Sequence, residues 1–401
     1  MIDLSGVPGH VAALFSDEQR AALIALRRDL HQYPELAFAE SRTCAALEQA
    51  LAIVNPVSVQ RVAGTGLVAR IRGHDASAPV VAVRGDIDAL PIHEATGLPF
   101  TSRNDGVMHA CGHDVHASWA IGAAYLLAAR PAAGDVLVVF QPAEEIGEGA
   151  AAVLQSRALD GVAAIFAAHV DRRYPVGQVV AQAGPLAAAA DTFRITLTGR
   201  GAHGARPHES ADPVLGAALL IASLQGIVSR RVNPSVPAVL TVATMHAGSA
   251  SNVIPEVATI GGTLRTIDPA TRTLLANEMR RVAHGIAAAH DLTAEVIIEL
   301  GPPPIVNPEQ PAAWAREAAA GLLGVEAVVP LGITNMAGED FAYYMENIPG
   351  AFLRIGAREP GGEATPAHTP RFFAADGSLF IGAAVLAETA RLASASLAAS
   401  R

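Results

Sequence analysis

The sequence predicts an α/β protein of two domains, a layered α/β sandwich interrupted by a smaller inserted domain. Three observations predict it. Apolar strand-like runs alternate with helical ones up to about residue 187, the order then changes to β-α-β-β-α-β from Asp191, and after GPPPIVNP strands and helices return without a sheet of their own. At 401 residues the chain also exceeds what one hydrophobic core usually serves.

The elements follow in order. A first helix runs from about Ser16 to His31, with Ser16 as its cap and Pro34 as its stop, and a second spans about residues 40–53. GLVARI and VVAVRGD read as strands, a helix follows GHD, and GDVLVVF and AAIFAAH read as buried strands, His169 ending the second. This alternation predicts parallel strand pairs. The second pattern comprises the strand DTFRITLTG, the helix ADPVLGAALLIASLQGIVSR, the strands AVLTVATMHAG and EVATIGGTLRTID, the helix PATRTLLANEMRRVAHGIAAAH and the strand TAEVIIEL. That is the split βαβ arrangement of a ferredoxin-like domain. GPPPIVNP breaks it as a linker would. The expected boundaries are residues 1–186 and 302–401 for the larger domain and 187–301 for the inserted one.

Composition narrows the function. Hydrophobic residues make up 51% and charged residues 16%, which supports a large buried interior. All 28 basic residues are arginine and the net charge is −10, so nucleic acid is excluded as an expected partner. Two cysteines far apart make no disulfide framework and point to a reducing cytoplasm. The first twenty residues lack a basic stretch followed by an apolar run, and no segment reaches a membrane span without a charge or helix breaker. No membrane partner is expected.

The chemistry concentrates in residues 108–118, MHACGHDVHAS. Cys111 and His113 offer a thiolate and an imidazole, donors suited to zinc or another first-row metal, and Gly112 lets the backbone turn so that both reach one ion. Asp114 and His116 could support the ligands from behind or lie on the helix that starts there. QPAEE follows a buried strand at its carboxyl end, where open α/β sheets place their ligands. Of Glu144 and Glu145, one can bind metal while the other takes a proton from water. His169 adds an imidazole at the same edge, and His368 could be delivered by PAHTPRF from the far end of the chain. Taken singly, each has a bland reading: a small buried cysteine, a hydrogen-bonded histidine, a solvated turn. GEDFAYY places Glu339 and Asp340 either at a solvated helix start or in an active-site wall. His31, at a helix end where a cation favours the dipole, reads as structural.

The motifs RRDLHQYPELAFAE, RGDIDALPI, GVMHACGHDVHAS, QPAEEIGEGA, HVDRRYPVGQV, GRGAHGARPHESADPV, SNVIPE, GTLRT, GEDFAYY and HTPRF stand in one order along almost the whole chain. In that order they resemble the M20 family of metallopeptidases, in its aminoacylase-like amidohydrolase branch of hippurate hydrolases and indoleacetyl-amino-acid hydrolases. The resemblance implies a zinc-peptidase-like catalytic domain and an inserted lid or dimerisation domain. It implies that Cys111, His113, Glu145, His169 and His368 ligate two divalent ions, zinc or else manganese, cobalt or nickel, and that Glu144 is the general base. Other branches carry a metal-binding histidine where this chain has Arg84; here ligation shifts to the CGH motif. Asp86 then looks like a residue that orients a ligand, and Asp88 is less defined. His203 resembles the histidine that hydrogen-bonds the developing oxyanion, often from a partner subunit. Asn252 resembles a substrate-binding residue and Arg265 a candidate for gripping a carboxylate.

The resulting expectation is a metal-dependent hydrolase of N-acyl amino acids, hippurate-like or related, acting as a homodimer or higher homo-oligomer in the cytoplasm. A dipeptidase or aminopeptidase of the same family is the alternative. A catalytically dead scaffold would have lost its base or a ligand, and none of these residues is missing.

Overall fold

The computed structural model describes residues 3–334 and 336–400. It falls into two compact units, one spanning Met1–Gly184, Asn307–Ile333 and Asp340–Arg401, the other Pro185–Val306 and Thr334–Glu339.

In chain order the first unit begins with helices α1 (Gly9–Ala12), α2 (Asp17–Gln32) and α3 (Ser41–Leu51) and strands β1 (Ser58–Val62), β2 (Gly66–Ile71) and β3 (Val80–Asp86). Then come α4 (His113–Ala129), β4 (Val136–Gln141), α5 (Gly149–Gln155), β5 (Val162–Pro175) and β6 (Val179–Val180). After the short β7 (Gly184–Ala187), the second unit holds β8 (Ala189–Thr198), β9 (Ala202–His203), α6 (Pro213–Arg231), β10 (Ala238–Ala247), β11 (Val253–Ile254), β12 (Val257–Thr266), α7 (Pro269–Ala289) and β13 (Thr293–Glu299). Strand β14 (Ile305–Asn307), helices α8 (Glu309–Leu323) and α9 (Ala342–Met345), strand β15 (Gly350–Arg358) and helix α10 (Gly377–Ala399) complete the chain.

Seven strands of the first unit form one sheet in the order β1-β2-β4-β3-β5-β15-β6. β4, β3, β5 and β15 are mutually parallel, so their carboxyl ends share one edge. The flanking pairs β1–β2, β2–β4 and β6–β15 are antiparallel, making the sheet mixed where alternation alone predicted parallel pairs. The late strand β15 is inserted between β5 and β6, which is why the C-terminal segment has no separate sheet. Helix α4 is buried on nearly every face, and α10 packs beside it, so both read as apolar all round. By length and composition α6 and α10 could each cross a membrane, but in α10 that apolar length is mostly buried in the core.

Local signals set the helix starts. Ser16 and Gln19 form a reciprocal capping box at α2. Asp212 and Asp268 cap α6 and α7, each followed by proline in the first turn. In the second unit the sheet order is β10-β12-β8-β13, antiparallel throughout, and α6 and α7 cover it with Leu220, Leu224, Leu275 and Met279 against Ile195 and Ile260. This is the expected β-α-β-β-α-β order in its ferredoxin-like form.

Candidate metal centre

The shared edge of β3, β4 and β5 gathers a cluster of the first unit's cysteine, histidine and carboxylate side chains. Gly112 caps α4 with φ +92°, and a Cβ there would sit 2.5 Å from Val170 Cγ2. Only glycine permits the turn that presents Cys111 and His113 together. Cys111 Sγ lies 3.2 Å from His169 Nε2. His169 is inside the fourteen-residue β5 rather than at a strand end, because pairing with β15 continues past it, Arg354 standing opposite. Its Nδ1–H donates to the Val170 carbonyl at 2.7 Å, which turns Nε2 toward the sulfur.

His113 is fully buried. Its Nδ1 donates to Asp88 Oδ1 at 3.2 Å, while its Nε2 has no hydrogen-bond partner and lies 3.8 Å from both Glu144 Oε2 and Glu145 Oε1. Glu145 Oε1 is likewise unpartnered, and Glu145 Oε2 is 3.4 Å from His368 Nε2. His368 adopts φ +60° and donates its amide to the Ala110 carbonyl at 2.8 Å, so the loop that carries it is bound to the CGH segment. Among the close groups that result are two donor triads with Cys111 in common, Cys111–His113–His169 and Cys111–Glu145–His368, and a third, His113–Glu144–Glu145, each with its atoms within 4.8 Å of one another.

These donors fit divalent cations. Burial, with the Glu145 charge next, pushes the Cys111 thiol well up, and burial above all raises Glu145 to about 7. Burial also holds His169 neutral, well below its usual range. Burial thus disfavours the ionised forms of Cys111 and Glu145, and a cation held between them would offset that cost. Two buried ring and carboxylate atoms with no bond, facing each other at 3.8 Å, are the matching geometric sign.

Support for the donors differs from the expectation for Asp86. Asp88 orients the His113 ring and also accepts the Glu145 amide at 2.9 Å. Asp86 instead bonds His116 Nδ1 at 2.6 Å and the Arg84 guanidinium, and His116 Nε2 accepts the Val170 amide at 3.0 Å. Asp86 therefore acts on the β5 backbone beside His169 and reaches His113 only at 3.8 Å. The sequence left Asp88 undefined because two aspartates in DID alternate faces without saying which meets a ring. Arg84 stays inside the site as a guanidinium bridging Asp86, Gln141 and Asp340, and Asp340 also takes the Ala150 amide. His31 is structural, but for a different reason from the helix dipole: it is buried between Asp114 at 2.9 Å and Glu94 at 3.3 Å, and Asp114 also holds Arg27 at 2.9 Å.

The remaining predicted residues lie in the second unit. His203 is exposed on β9 opposite Val253 of β11, and the Asn252 carbonyl accepts the Gly204 amide at 2.7 Å, so His203 and Asn252 occupy adjoining strand ends. Arg265 sits partly buried in β12, between Val239 of β10 and Ala190 of β8.

A parallel-edged α/β sheet carrying a cysteine, histidine and carboxylate cluster defines a metal hydrolase class. The profile of peptidase family M20/M25/M40 matches residues 82–392, and the chain belongs to this family. It is 44% identical over 340 residues to an N-acetyl-L-cysteine deacetylase of Bacillus subtilis (strain 168), covering 83% of this chain and 80% of that protein. An N-acetylcysteine deacetylase of the same strain is 41% identical, covering 92% of this chain and 96% of that protein. The crystal structure of the Bacillus subtilis YXEP protein, a dinuclear metal-binding peptidase of the M20 family, superposes with a TM-score of 0.84 at 37% identity over 95% of this chain and 99% of that one. The chain is a metal-dependent amide hydrolase.

Proposed function

We propose that this enzyme hydrolyses the amide bond of N-acyl amino acids, hippurate-like conjugates among them, to a carboxylic acid and a free amino acid. The observation that carries the reading is the meeting of Cys111, His113, Glu145, His169 and His368 in two triads that share Cys111, with the Glu144 carboxylate beside His113. The two deacetylase relatives support an acylated amino acid as the substrate. In this reading the five donors hold two divalent ions, zinc being favoured by the thiolate, with manganese, cobalt or nickel as alternatives. When bound, such ions lower the pKa of water and polarise a carbonyl oxygen.

The residues do the rest. Glu144 accepts a proton as water adds to the amide carbon, then donates it to the nitrogen as the carbon–nitrogen bond breaks. His203 hydrogen-bonds the developing oxyanion, with the second unit also serving as a dimerisation surface. Asn252 and Arg265 hold the substrate, Arg265 by its carboxylate. Asp86 steadies the β5 backbone. Cys44 and Cys111 are both free, which suits a reducing cytoplasm.

Turnover of a panel including hippurate, N-acetylcysteine, an indoleacetyl amino acid and a free-amine dipeptide tests the substrate class. Preference for the dipeptide would favour the dipeptidase alternative. Glu144→Gln should lower kcat roughly 10²–10⁴-fold while bound metal per chain stays at the wild-type value. Retained turnover removes Glu144 from its role.

A further inference from the structure

We propose that Glu40 is a positioning residue for hydrolysis, holding the Glu144–Glu145 segment in its working conformation through the Ala143 amide. The inference rests on the reading of Glu144 as the proton carrier. Glu40 is fully buried, stands 103 residues before the segment it holds, and touches no member of the donor cluster in its hydrogen bonds. Its Oε1 accepts the Ala143 N–H at 2.9 Å, and its Oε2 accepts the hydroxyl of Thr65 in the turn between β1 and β2.

Ala143 is the residue that needs holding. It is fully buried at φ +55°, in the left-handed region, where its Cβ is disfavoured. Such a conformation persists only when the surroundings over-determine it. Pro142 before it has no N–H, so the Ala143 amide is the first one after β4 by which this turn can be tied. The Ala143 carbonyl accepts the Glu148 and Gly149 amides at 3.4 and 3.1 Å, and the Glu144 carbonyl accepts Gly147 at 2.8 Å. A Cβ on Gly66 would lie 2.8 Å from Pro142 Cδ, and one on Gly149 would lie 1.7 Å from the Pro142 carbonyl oxygen, so the hairpin turn and the start of α5 press on Pro142. Asp88 takes the Glu145 amide. The amides on either side of Glu144 are therefore each tied to a buried carboxylate. Were Ala143 to relax to a right-handed conformation, both glutamates would swing away from His113.

The test begins with wild-type turnover of one acylated amino acid; absence of turnover sinks the functional reading and is distinct from failure of this inference. Glu40→Ala should lower kcat about tenfold or more with KM changed less than about threefold, since misorientation of a reacting group acts on the chemical step. Glu40→Gln keeps an acceptor oxygen and should stay within about threefold of wild type, and adding Ala143→Gly to Glu40→Ala should recover about threefold, because glycine adopts the left-handed region freely. In metal-free protein, hydrogen exchange at the Gly147 and Gly149 amides, which Glu40 does not touch, should quicken in Glu40→Ala and remain protected in Glu40→Gln. Should Glu40→Ala fail to fold, Thr65→Val, which removes only the hydroxyl on Glu40, should quicken the same exchange and lower kcat about twofold or more. Wild-type kcat in Glu40→Ala, unchanged exchange at Gly147 and Gly149 in Glu40→Ala or, should that variant not fold, in Thr65→Val, or a Glu40→Gln enzyme as impaired as Glu40→Ala overturns the proposal.

Discussion

Asp88 shows how one carboxylate can govern a ligand it does not replace. By accepting the Nδ1–H of His113 it selects the tautomer whose Nε2 is left as an electron-pair donor, and by accepting the Glu145 amide it sets the neighbouring carboxylate at the same time. Asp88→Asn keeps the shape but presents an amide group in place of a charged acceptor, so metal affinity should fall about 10–100-fold. Competition with a chromogenic chelator measures this, and an unchanged dissociation constant would show that the ring is held by packing alone. Glu145 carries its own sign of the site's purpose, since a carboxyl raised to about 7 by burial is a poor resting anion and a good one beside a cation.

At the level of elements, α2 and α4 are joined by a buried ionic set rather than by apolar contact alone. Arg27 and His31 of α2 meet Asp114 in the first turn of α4, and Arg27 and Arg28 meet Asp376 just before α10. Burial pulls the His31 imidazole down, but the charge and hydrogen bond of Asp114, with Glu94, outweigh it and leave its pKa raised. A raised histidine contributes stability that is full below its unfolded value of about 6.5 and is lost as pH climbs through the folded value. His31→Gln should therefore lose more stability at about pH 6 than at about pH 9, read as the difference in unfolding midpoint from wild type at each pH. An equal loss at both would assign His31 to shape alone. The helix start at Ser16 was legible because capping is chemistry within four residues. The course of β5 past His169 was not, because it depends on β15, joined to it from nearly two hundred residues away.

For the whole molecule, the candidate donors come from the start of α4 and the turn before it, β5, the loop after β4 and a loop near the C-terminus, so an ion bound there would link two of the first unit's three sequence segments. A ligand that binds only the folded state stabilises it by mass action. Removing metal with a chelator should lower the unfolding temperature by several degrees, and readdition should restore it. An unfolding temperature indifferent to metal would mean that the cluster is held open by the protein framework without ionic help.

Several things were readable in the chain by itself: the change from an alternating α/β pattern to β-α-β-β-α-β, the cluster of candidate side chains Cys111, His113, Glu144, Glu145, His169 and His368 that the fold brings together, and the amide hydrolase class they imply with the family resemblance. These follow from local periodicity, turn chemistry and motif order, which neighbouring residues carry. Only the tertiary structure decided that Asp88 rather than Asp86 orients His113, that His116 spends both nitrogens on Asp86 and the Val170 amide, and that Glu40 ties Ala143. The physical reason is that a side chain's polar atoms are assigned by partners brought close through strand order and helix packing, and those partners lie tens to hundreds of residues away.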